Sequence, residues 1–227
     1  YALKGGNESG YDSLKVLIST GRVNLLTHSV NASKIDLSWQ DLSAHETGYE
    51  VQRKLSTAST FESIAILPDN SQAFTDTGLS EGTSYDYRVR AVNAYGASAF
   101  SNIGTAQTNF RPLGSSFANE LLEDGTLVFV ALDFTSHFLD PDDADELEAI
   151  EISSLPQLGT LKLGASPVQV GQIIPAAELG NMEFVPEHDE NGVSEFSFFN
   201  NDGKNNSIST YSVTLTIIPV NGAPLLS

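Results

Sequence analysis

The densest group of side chains that could do chemistry is an acidic run at residues 140–146. Four Asp and one Glu occur within it, namely Asp140, Asp142, Asp143, Asp145 and Glu146. So many like charges on a short loop are unfavourable unless a cation neutralises them. Clustered carboxylate oxygens with no Cys or His beside them favour a hard ion, and calcium is the first candidate.

The spacing of this acidic run differs from the calcium loop of an EF-hand. Counted from Asp140, the sixth place holds Asp145 and not the Gly that the sharp turn of an EF-hand loop needs. The same residues can also be interpreted as a solvated acidic loop that binds no metal. A calcium titration followed by thermal melting separates the two interpretations.

Catalysis finds little support in the sequence. The chain has no Cys, which excludes thiolate nucleophiles, thiolate metal sites and disulfides together. Its four His stand apart in predicted loops or strand ends, at residues 28, 45, 137 and 188. His188 and Asp189 could be drawn as an acid–base pair, but they fall in a predicted turn between strands. We therefore predict no enzymatic activity and no catalytic residue.

The net negative charge of the chain excludes one class of partner, and most of this charge lies in the second half of the chain. The net charge of −18 argues against nucleic acid, since phosphate binding requires Lys and Arg. Residues 109–227 hold 18 acidic and 3 basic residues, so a counter-ion is expected there. No apolar stretch is long enough to span a bilayer. The absence of Cys favours a bacterial exported protein, because secreted eukaryotic modules often carry disulfides.

The first half of the chain is predicted to consist of short strands, which would position its functional side chains. Apolar and polar side chains alternate in Ile35–Trp39, Tyr49–Val51 and Tyr85–Ala91, and clusters of turn residues separate these segments. Alternation of this kind is typical of strands that bury one face. Several such strands at short spacing predict an all-β sandwich.

These segments also resemble a fibronectin type III domain. The matching motifs are Ile35–Trp39, Gly48–Arg53, Gly78-Leu79 and Tyr85–Asn93 followed by Gly96. The resemblance implies an immunoglobulin-like β-sandwich over residues 21–108 with no site of its own. It also implies that Leu79 and Tyr85 form the tyrosine corner of that family, in which a buried phenol needs a backbone acceptor.

An internal similarity extends this interpretation to the first residues. Tyr1–Gly10 aligns without gaps on Tyr87–Gly96, with Tyr, an aliphatic residue, a basic residue, Asn and Gly in register. Residues 1–20 are therefore predicted to be the C-terminal strands of a truncated fibronectin type III module.

Residues 109–220 predict a second β-sandwich. Leu127–Leu132 reads as a strand that is apolar on both faces, and Phe196–Phe198 and Tyr211–Ile217 alternate with small polar residues. Asn201–Lys204 lies between the last two of these strands and has the residues of a hairpin turn. Pro219–Pro224 then breaks the pattern, so residues 221–227 are predicted to be a linker to a further module.

This half resembles the bacterial cadherin-like repeats of large exported proteins. The motifs that match are Glu123–Thr126, Phe138–Asp142, Leu155-Pro156, Gly159–Leu161, Val170–Pro175, Leu179–Pro186, Asp202-Gly203 and Pro219–Asn221. The resemblance implies a cadherin-like domain over residues 109–220, arranged as a tandem β-sandwich after the fibronectin type III domain. Repeats of proteoglycan-type ectodomains share the Gly-Thr-Leu and Phe-x-Pro elements and remain an alternative.

The cadherin-like resemblance implies further metal ligands. In that family an Asp-x-Asp loop and an Asp of the last hairpin share one end of the sandwich, and Asp140, Asp142 and Asp202 match these positions. Glu123 matches an acid that serves the junction with the next repeat. Asp145 of the acidic run completes the predicted set of metal ligands.

The chain departs from the family at both junctions. The family completes each site with an Asp-x-Asn-Asp linker, whereas residues 108–112 offer one Asn and a base. At the other end, Asn221 is followed by Gly222 where an Asp is usual. These departures put the completeness of each calcium site in doubt.

Two functions are consistent with the sequence. The first is a non-catalytic structural or adhesive segment of an exported bacterial multi-module protein, located outside the cell, with calcium stiffening the junctions between modules of the same chain. The alternative is an accessory spacer or carbohydrate-binding region of a secreted polysaccharide-degrading enzyme, with surface glycans or polysaccharide as partners. Four aromatic side chains near turns or the module junction could stack on sugars, although packing is the commoner role of such residues: Tyr95, Phe100, Phe110 and Phe117.

Overall fold

Strands make up nearly all of the regular structure in this computed structural model, which describes residues 24–142 and 145–220. The predicted all-β fold class is confirmed. The chain divides into two compact units between Asn109 and Phe110. The truncated module predicted at residues 1–20 and the linker predicted at 221–227 lie outside the described residues. Within the described ranges, neither helix has the length or apolar character to cross a bilayer.

Eight strands form two sheets in the first domain. They are β1 (Leu25–Asn31), β2 (Lys34–Trp39), β3 (Gly48–Leu55), β4 (Glu62–Pro68), β5 (Ala73–Thr77), β6 (Ser84–Asn93), β7 (Gly96–Ala97) and β8 (Gly104–Gln107). One sheet has the order β1-β2-β5, and the other has the order β4-β3-β6-β7 with β8 also paired to β6. All of these pairs are antiparallel.

The alternation along these strands builds the core of the first domain. Every second residue of β2 and β6 is buried, and these side chains meet Tyr49 and Val51 of β3 between the sheets. The predicted tyrosine corner is present, but the direction of its hydrogen bond is the reverse of the one expected. The backbone N–H of Ser80 donates to Tyr85 Oη at 3.1 Å, so the phenol oxygen accepts.

The second domain contains eleven strands, a short α-helix and a 3₁₀ helix among its described residues. The strands are β9 (Leu113–Gly114), β10 (Phe117–Leu122), β11 (Leu127–Val128), β12 (Phe138–Leu139), β13 (Ala149–Ser154), β14 (Gly159–Leu163), β15 (Ser166–Pro167), β16 (Ile173–Pro175), β17 (Met182–Pro186), β18 (Gly192–Asn201) and β19 (Tyr211–Ile218). The α-helix, α1, spans Ala131–Thr135, and the 3₁₀ helix spans Ala176–Asn181.

Two main sheets enclose the core of the second domain. The larger has the order β10-β19-β18-β13-β16, the smaller has the order β11-β17-β14-β15, and β9 pairs separately with β12. Strands β18 and β19 form the predicted hairpin. Strand β10 runs parallel to β19, whereas the other pairs are antiparallel. Phe129, Phe134, Phe196 and Phe198 lie in the core in mutual ring contact.

The predicted strand at residues 127–132 is wrong beyond Val128, because the chain turns into helix α1 at Ala131. The carboxylate of Asp133 accepts a hydrogen bond from the N–H of Val130 at 2.8 Å, which supports the start of the helix. The turn buries Phe134 and leaves Leu132 68% exposed. Apolar residues on both faces therefore mark a short edge strand and a helical turn here.

Candidate metal site

Three aspartates of the acidic run converge at one loop of the second domain. Asp140 follows β12, and Asp142 and Asp145 precede β13. One carboxylate oxygen from each of the three lies within 4.8 Å of the others. Two oxygens bound to one calcium ion can be no further apart than about 5 Å, twice the usual Ca–O distance. The three predicted ligands therefore lie within reach of a common ion. Asp143 lies outside the described residues.

Hydrogen bonds hold this loop in shape and leave one carboxylate oxygen without a partner. The N–H of Asp142 donates to Asp140 Oδ1 at 2.8 Å, and the N–H of Phe110 donates to Asp142 Oδ2 at 2.7 Å. Asp140 Oδ2 is buried and has no hydrogen-bond partner among the described residues. A buried carboxylate oxygen without a donor is costly, and a bound cation would remove that cost.

The charge of Asp202 acts on Asp140 in this loop. Burial raises the pKa of Asp140 above its usual range, although the Asp142 N–H opposes this effect. The negative charges of Asp202, Asp142 and Asp145 raise the pKa of Asp140 further. The charged form of Asp140 is therefore disfavoured, as the density of acidic residues in the sequence predicts. Asp202, the fourth aspartate of the predicted ligand set, contributes to this repulsion.

The turn that holds Asp202 also brings a cation to the site. Asp202 follows β18 and is 5% exposed. Its Oδ1 accepts hydrogen bonds from the N–H groups of Lys204, at 2.7 Å, and Asn205, at 2.6 Å. Lys204 Nζ lies 2.8 and 2.7 Å from the two oxygens of Asp145. The hydrogen bond to Asp145 raises the pKa of Lys204. Lys204 was absent from the predicted site, because nothing in its spacing links it to Asp145.

Glu123 lies far from the four aspartates. Its Oε1 accepts from the N–H of Val220 at 2.9 Å, and its Oε2 from Asn191 Nδ2 at 3.4 Å. Asn191 precedes β18 and Asp202 follows it, and that strand has ten residues. At about 3.3 Å per residue, the strand separates the two acids by roughly 30 Å. Glu123 therefore cannot share an ion with Asp202, and its role at the other junction stays a prediction.

A second cluster, which the sequence did not predict, lies near Glu123. Ligand atoms of Asp124, His188 and Asp189 lie within 4.8 Å of one another, and all three residues are exposed. His188 Nδ1 is 2.8 Å from Asp189 Oδ2. The sequence indicated only the adjacent pair, because Asp124 comes from a turn more than sixty residues earlier in the chain. Exposed groups of this kind are well solvated without a metal.

Phe117 and Phe100, two of the four aromatic candidates for sugar stacking, have rings that contact other side chains. Phe117 packs on the core and stacks on His137 with ring centroids 4.7 Å apart. The guanidinium groups of Arg88 and Arg90 lie 3.8 and 4.4 Å from the ring centroid of Phe100. The backbone of Phe110 bonds to the acidic loop. Tyr95, in the turn between β6 and β7, is 73% exposed.

Arg88 belongs to a stack of cations and rings on the outer face of the sheet that contains β3 and β6. Its guanidinium also lies 4.1 Å from the ring centroid of Phe61. Arg88 Nε and Nη2 donate to Gln52 Oε1 at 2.9 and 2.7 Å, and Arg90 pairs with Glu50 at 2.5 Å. Cation–π contacts of this kind stabilise the sheet surface. They also cover the ring faces that a sugar would need.

Comparison with known proteins gives an assignment for the first domain. The family model of the fibronectin type III domain matches residues 22–107. This match confirms the predicted fibronectin type III domain. The two sheets, the tyrosine corner and the motif spacing described above are those of the matched segment. The cadherin-like resemblance of residues 109–220 stays a prediction.

Several known proteins resemble parts of the chain. An alpha-amylase from Niallia circulans is 39% identical over 88 residues, which cover 37% of this chain and 6% of that protein. A fibronectin type III-like protein from Clostridium thermocellum is 26% identical with a TM-score of 0.32, covering 38% of this chain and 86% of that one. A fibronectin type III domain of human collagen XX is 20% identical with a TM-score of 0.34, covering 38% and 90%.

Proposed function

We propose that this chain is a non-catalytic spacer segment of a larger exported protein, and that its second domain binds calcium. The convergence of Asp140, Asp142 and Asp145 is the observation that carries the calcium proposal. These three carboxylates form a hard, all-oxygen donor set with no imidazole or thiolate, which suits calcium. The charge of Asp202 acts on Asp140 as well, but Asp202 is not one of the three that converge. The matched fibronectin type III domain supports the spacer role.

The buried oxygen of Asp140 indicates which atom the ion would need most. Asp140 Oδ2 has no hydrogen-bond partner among the described residues, and its pKa is raised by burial and by neighbouring carboxylates. A divalent cation would reverse this penalty, because it attracts the charged form. Asp142 Oδ2 already accepts from the N–H of Phe110. Since Phe110 is the first residue of the second domain, ion binding would restrain the chain segment that follows Asn109.

Lys204 is the main obstacle to calcium binding. Its ammonium group pairs with both oxygens of Asp145, and it must withdraw if Asp145 is to bind an ion. Its side chain is 41% exposed, so the ammonium can be solvated at small cost. Lys204 is therefore a competitor that weakens calcium binding without preventing it.

Thermal unfolding of the 227-residue chain in EDTA and in rising calcium tests this proposal. A ligand that binds only the folded state stabilises it by about 2.7 kcal/mol at one hundred times its Kd. We expect the Tm to rise with calcium, and the rise to be lost in Asp140→Asn. Glu195→Gln, which removes an exposed carboxylate of the same domain, is the matched control and should keep the response. An unchanged Tm at millimolar calcium, or an equal response in Asp140→Asn, would contradict the calcium site.

A second candidate function is an accessory region of a polysaccharide-degrading enzyme. The observation that favours it is the 39% identity over 88 residues with a protein named alpha-amylase. The matched segment covers 6% of that protein, so catalysis in such an enzyme would belong to other parts of the molecule. Binding of polysaccharide by the isolated chain would favour this function over a simple spacer.

A further inference from the structure

A polar cavity of the first domain lies beside the end of β3 and the tyrosine corner. It has a volume of about 380 Å³, and its lining includes Arg53, Leu55, Thr60, Glu62, Ser80 and Tyr85. Strand pairing brings these residues together, because Leu55 lies opposite Tyr85 and Arg53 lies opposite Glu62. The N–H of Ser80 then reaches Tyr85 Oη. The volume falls within the range of small-molecule sites, about 300 to 1,000 Å³.

Arg53 brings a free donor edge to this cavity. Its Nη1 donates to both oxygens of Asp76, at 3.0 and 2.8 Å, and Asp76 is 6% exposed. Nε and Nη2 of Arg53 have no hydrogen-bond partner within residues 24–142 and 145–220, and neither is a fully buried atom. The guanidinium carbon lies 5.3 Å from the ring centroid of Tyr85, which supports the group from one side. The Nε–Nη2 edge of a guanidinium can donate to both oxygens of a carboxylate at once.

Tyr85 adds a second donor at the same place. Its phenol oxygen accepts from the N–H of Ser80 at 3.1 Å, and its own O–H has no acceptor in the described part of the chain. A phenol can donate one hydrogen bond while it accepts another. Because Tyr85 is 6% exposed and lines the cavity, an acceptor for this O–H would be supplied from the cavity.

These free groups suit a ligand that carries a carboxylate and hydroxyls. A carboxylate can only accept hydrogen bonds, so it matches the Arg53 edge and the Tyr85 O–H. The side chains of Thr60 and Ser80 are exposed hydroxyls, and the exposed Glu62 accepts hydrogen bonds. Hydroxyl groups of a ligand can donate to Glu62 and bond with both of these side chains.

The charges around the cavity favour one carboxylate over a polyanion. Asp76 balances Arg53, and Asp86 balances Lys54, whose Nζ lies 2.8 Å from Asp86 Oδ2. The cavity therefore has no surplus of positive charge, and the chain as a whole carries −18. A polyanion would be repelled by this field, whereas a single carboxylate against the free edge of Arg53 gains two charge-assisted hydrogen bonds.

We propose that this cavity of the fibronectin type III domain binds one uronate unit of an otherwise neutral saccharide. Its carboxylate would accept from Arg53 Nε and Nη2 and from the Tyr85 O–H. The inference rests on the second candidate function and deepens it, because it names the chemical group by which an accessory region would recognise a polysaccharide. The proposed calcium site lies in the other domain and takes no part.

Titration of the labelled chain followed by heteronuclear NMR in EDTA tests this site. Glucuronate is the probe, and glucose, which has a hydroxymethyl group in place of the carboxylate, is the matched control ligand. We expect saturable shifts of the amide signals of Leu55 and Ser80 with glucuronate, and no saturable shifts with glucose. No saturable shift with glucuronate, or equal shifts with glucose, would overturn the inference.

Two variants test the proposed contacts. Arg53→Lys keeps the positive charge but has no second donor edge, so it should weaken glucuronate binding about tenfold or more. Tyr85→Phe removes the O–H and should weaken binding as well. Arg88→Lys changes an Arg whose guanidinium lies between two aromatic rings outside the cavity lining, and it should leave binding unchanged. Equal affinity in Arg53→Lys and Arg88→Lys would contradict the role of Arg53.

Thermal melting of each variant verifies that it is folded, and two separate variants keep the test decisive if one of them is unstable. N-acetylaspartate that binds as tightly as glucuronate would overturn the assignment to a sugar acid. Soluble starch that binds to the chain when glucuronate does not would overturn this site and leave the second candidate function standing. The failure of the site and the failure of that function can therefore be told apart.

Discussion

Lys204 and Asp145 form a two-point ion pair, in which Nζ lies 2.8 Å from one carboxylate oxygen and 2.7 Å from the other. The pair spans the last turn before β19 and the acidic loop before β13. A cation from the chain itself therefore neutralises part of the acidic loop.

Lys204→Met should tighten calcium binding, because the proposed ion would no longer compete with a tethered ammonium. Exposed ion pairs contribute about 1 kcal/mol or less, so the Kd should fall by up to about fivefold. Isothermal calorimetry of the wild type and the variant measures it. Lys162→Met removes a Lys that pairs with Glu183 at 3.6 Å, and it should leave the Kd unchanged. A weaker or equal affinity in Lys204→Met would show that Lys204 does not compete for the site.

Asp140→Asn should stabilise the metal-free protein. The raised pKa of Asp140 means that its charged form is disfavoured in the folded state, first by burial and then by Asp202, Asp142 and Asp145. An uncharged side chain of the same shape avoids this cost at neutral pH. Urea unfolding in EDTA at pH 7 measures the change, with Glu195→Gln as a control that should have little effect. A less stable Asp140→Asn variant would show that the carboxylate is satisfied without an ion.

Asp76→Asn should destabilise the first domain by about 2 to 3 kcal/mol. Asp76 is 6% exposed, receives Arg53 Nη1 on both oxygens at 3.0 and 2.8 Å, and accepts from Tyr87 Oη at 2.8 Å. The substitution puts an amide donor against two donors and leaves Arg53 without its counter-charge. Urea unfolding measures the loss. Asp36→Asn, on an exposed carboxylate bonded to Thr75 Oγ1, should cost far less, and equal losses in the two variants would contradict the role of the network.

The first domain should lose stability in acid through Glu50. Burial opposes ionisation of Glu50, but hydrogen bonds from Gln52, Arg90 and Ser63 outweigh it and lower its pKa below the usual 4.5. Because the pKa is lower in the folded state, the stabilisation is present above pH 4.5 and is lost as the pH falls through the folded value. Unfolding free energies measured from pH 6 to pH 3 should fall less steeply in Glu50→Gln than in the wild type. Parallel profiles would rule out this contribution.

Much of this structure could be predicted from the sequence, because the features concerned depend on residues that are close together in the chain. The alternation in β2 and β6, the hairpin of β18 and β19, and the Leu79–Tyr85 corner all follow from short-range spacing. The grouping of Asp140, Asp142 and Asp145 was predictable for the same reason, since the three residues lie within one loop.

Features that depend on tertiary contacts were missed. Residues 129–132 are as apolar as a strand, and the burial of Phe134 in the core of the domain distinguishes the helical turn from it. The pairing of Lys204 with Asp145 joins residues 59 positions apart. The sequence named Phe100 as a candidate for sugar stacking and did not indicate its contacts with Arg88 and Arg90, which arise from the fold of the sheet.

The parallel pairing of β10 with β19 has a mechanical consequence for the second domain. The two strands run in the same direction over six paired positions, from Phe117 opposite Val213 to Leu122 opposite Ile218. A pull on the start of β10 and the end of β19 therefore loads their hydrogen bonds in shear. Bonds loaded in this way must break together, whereas bonds in a hairpin pulled from its open end break one at a time. Tension applied at these two ends would therefore meet the resistance of the whole row of bonds at once.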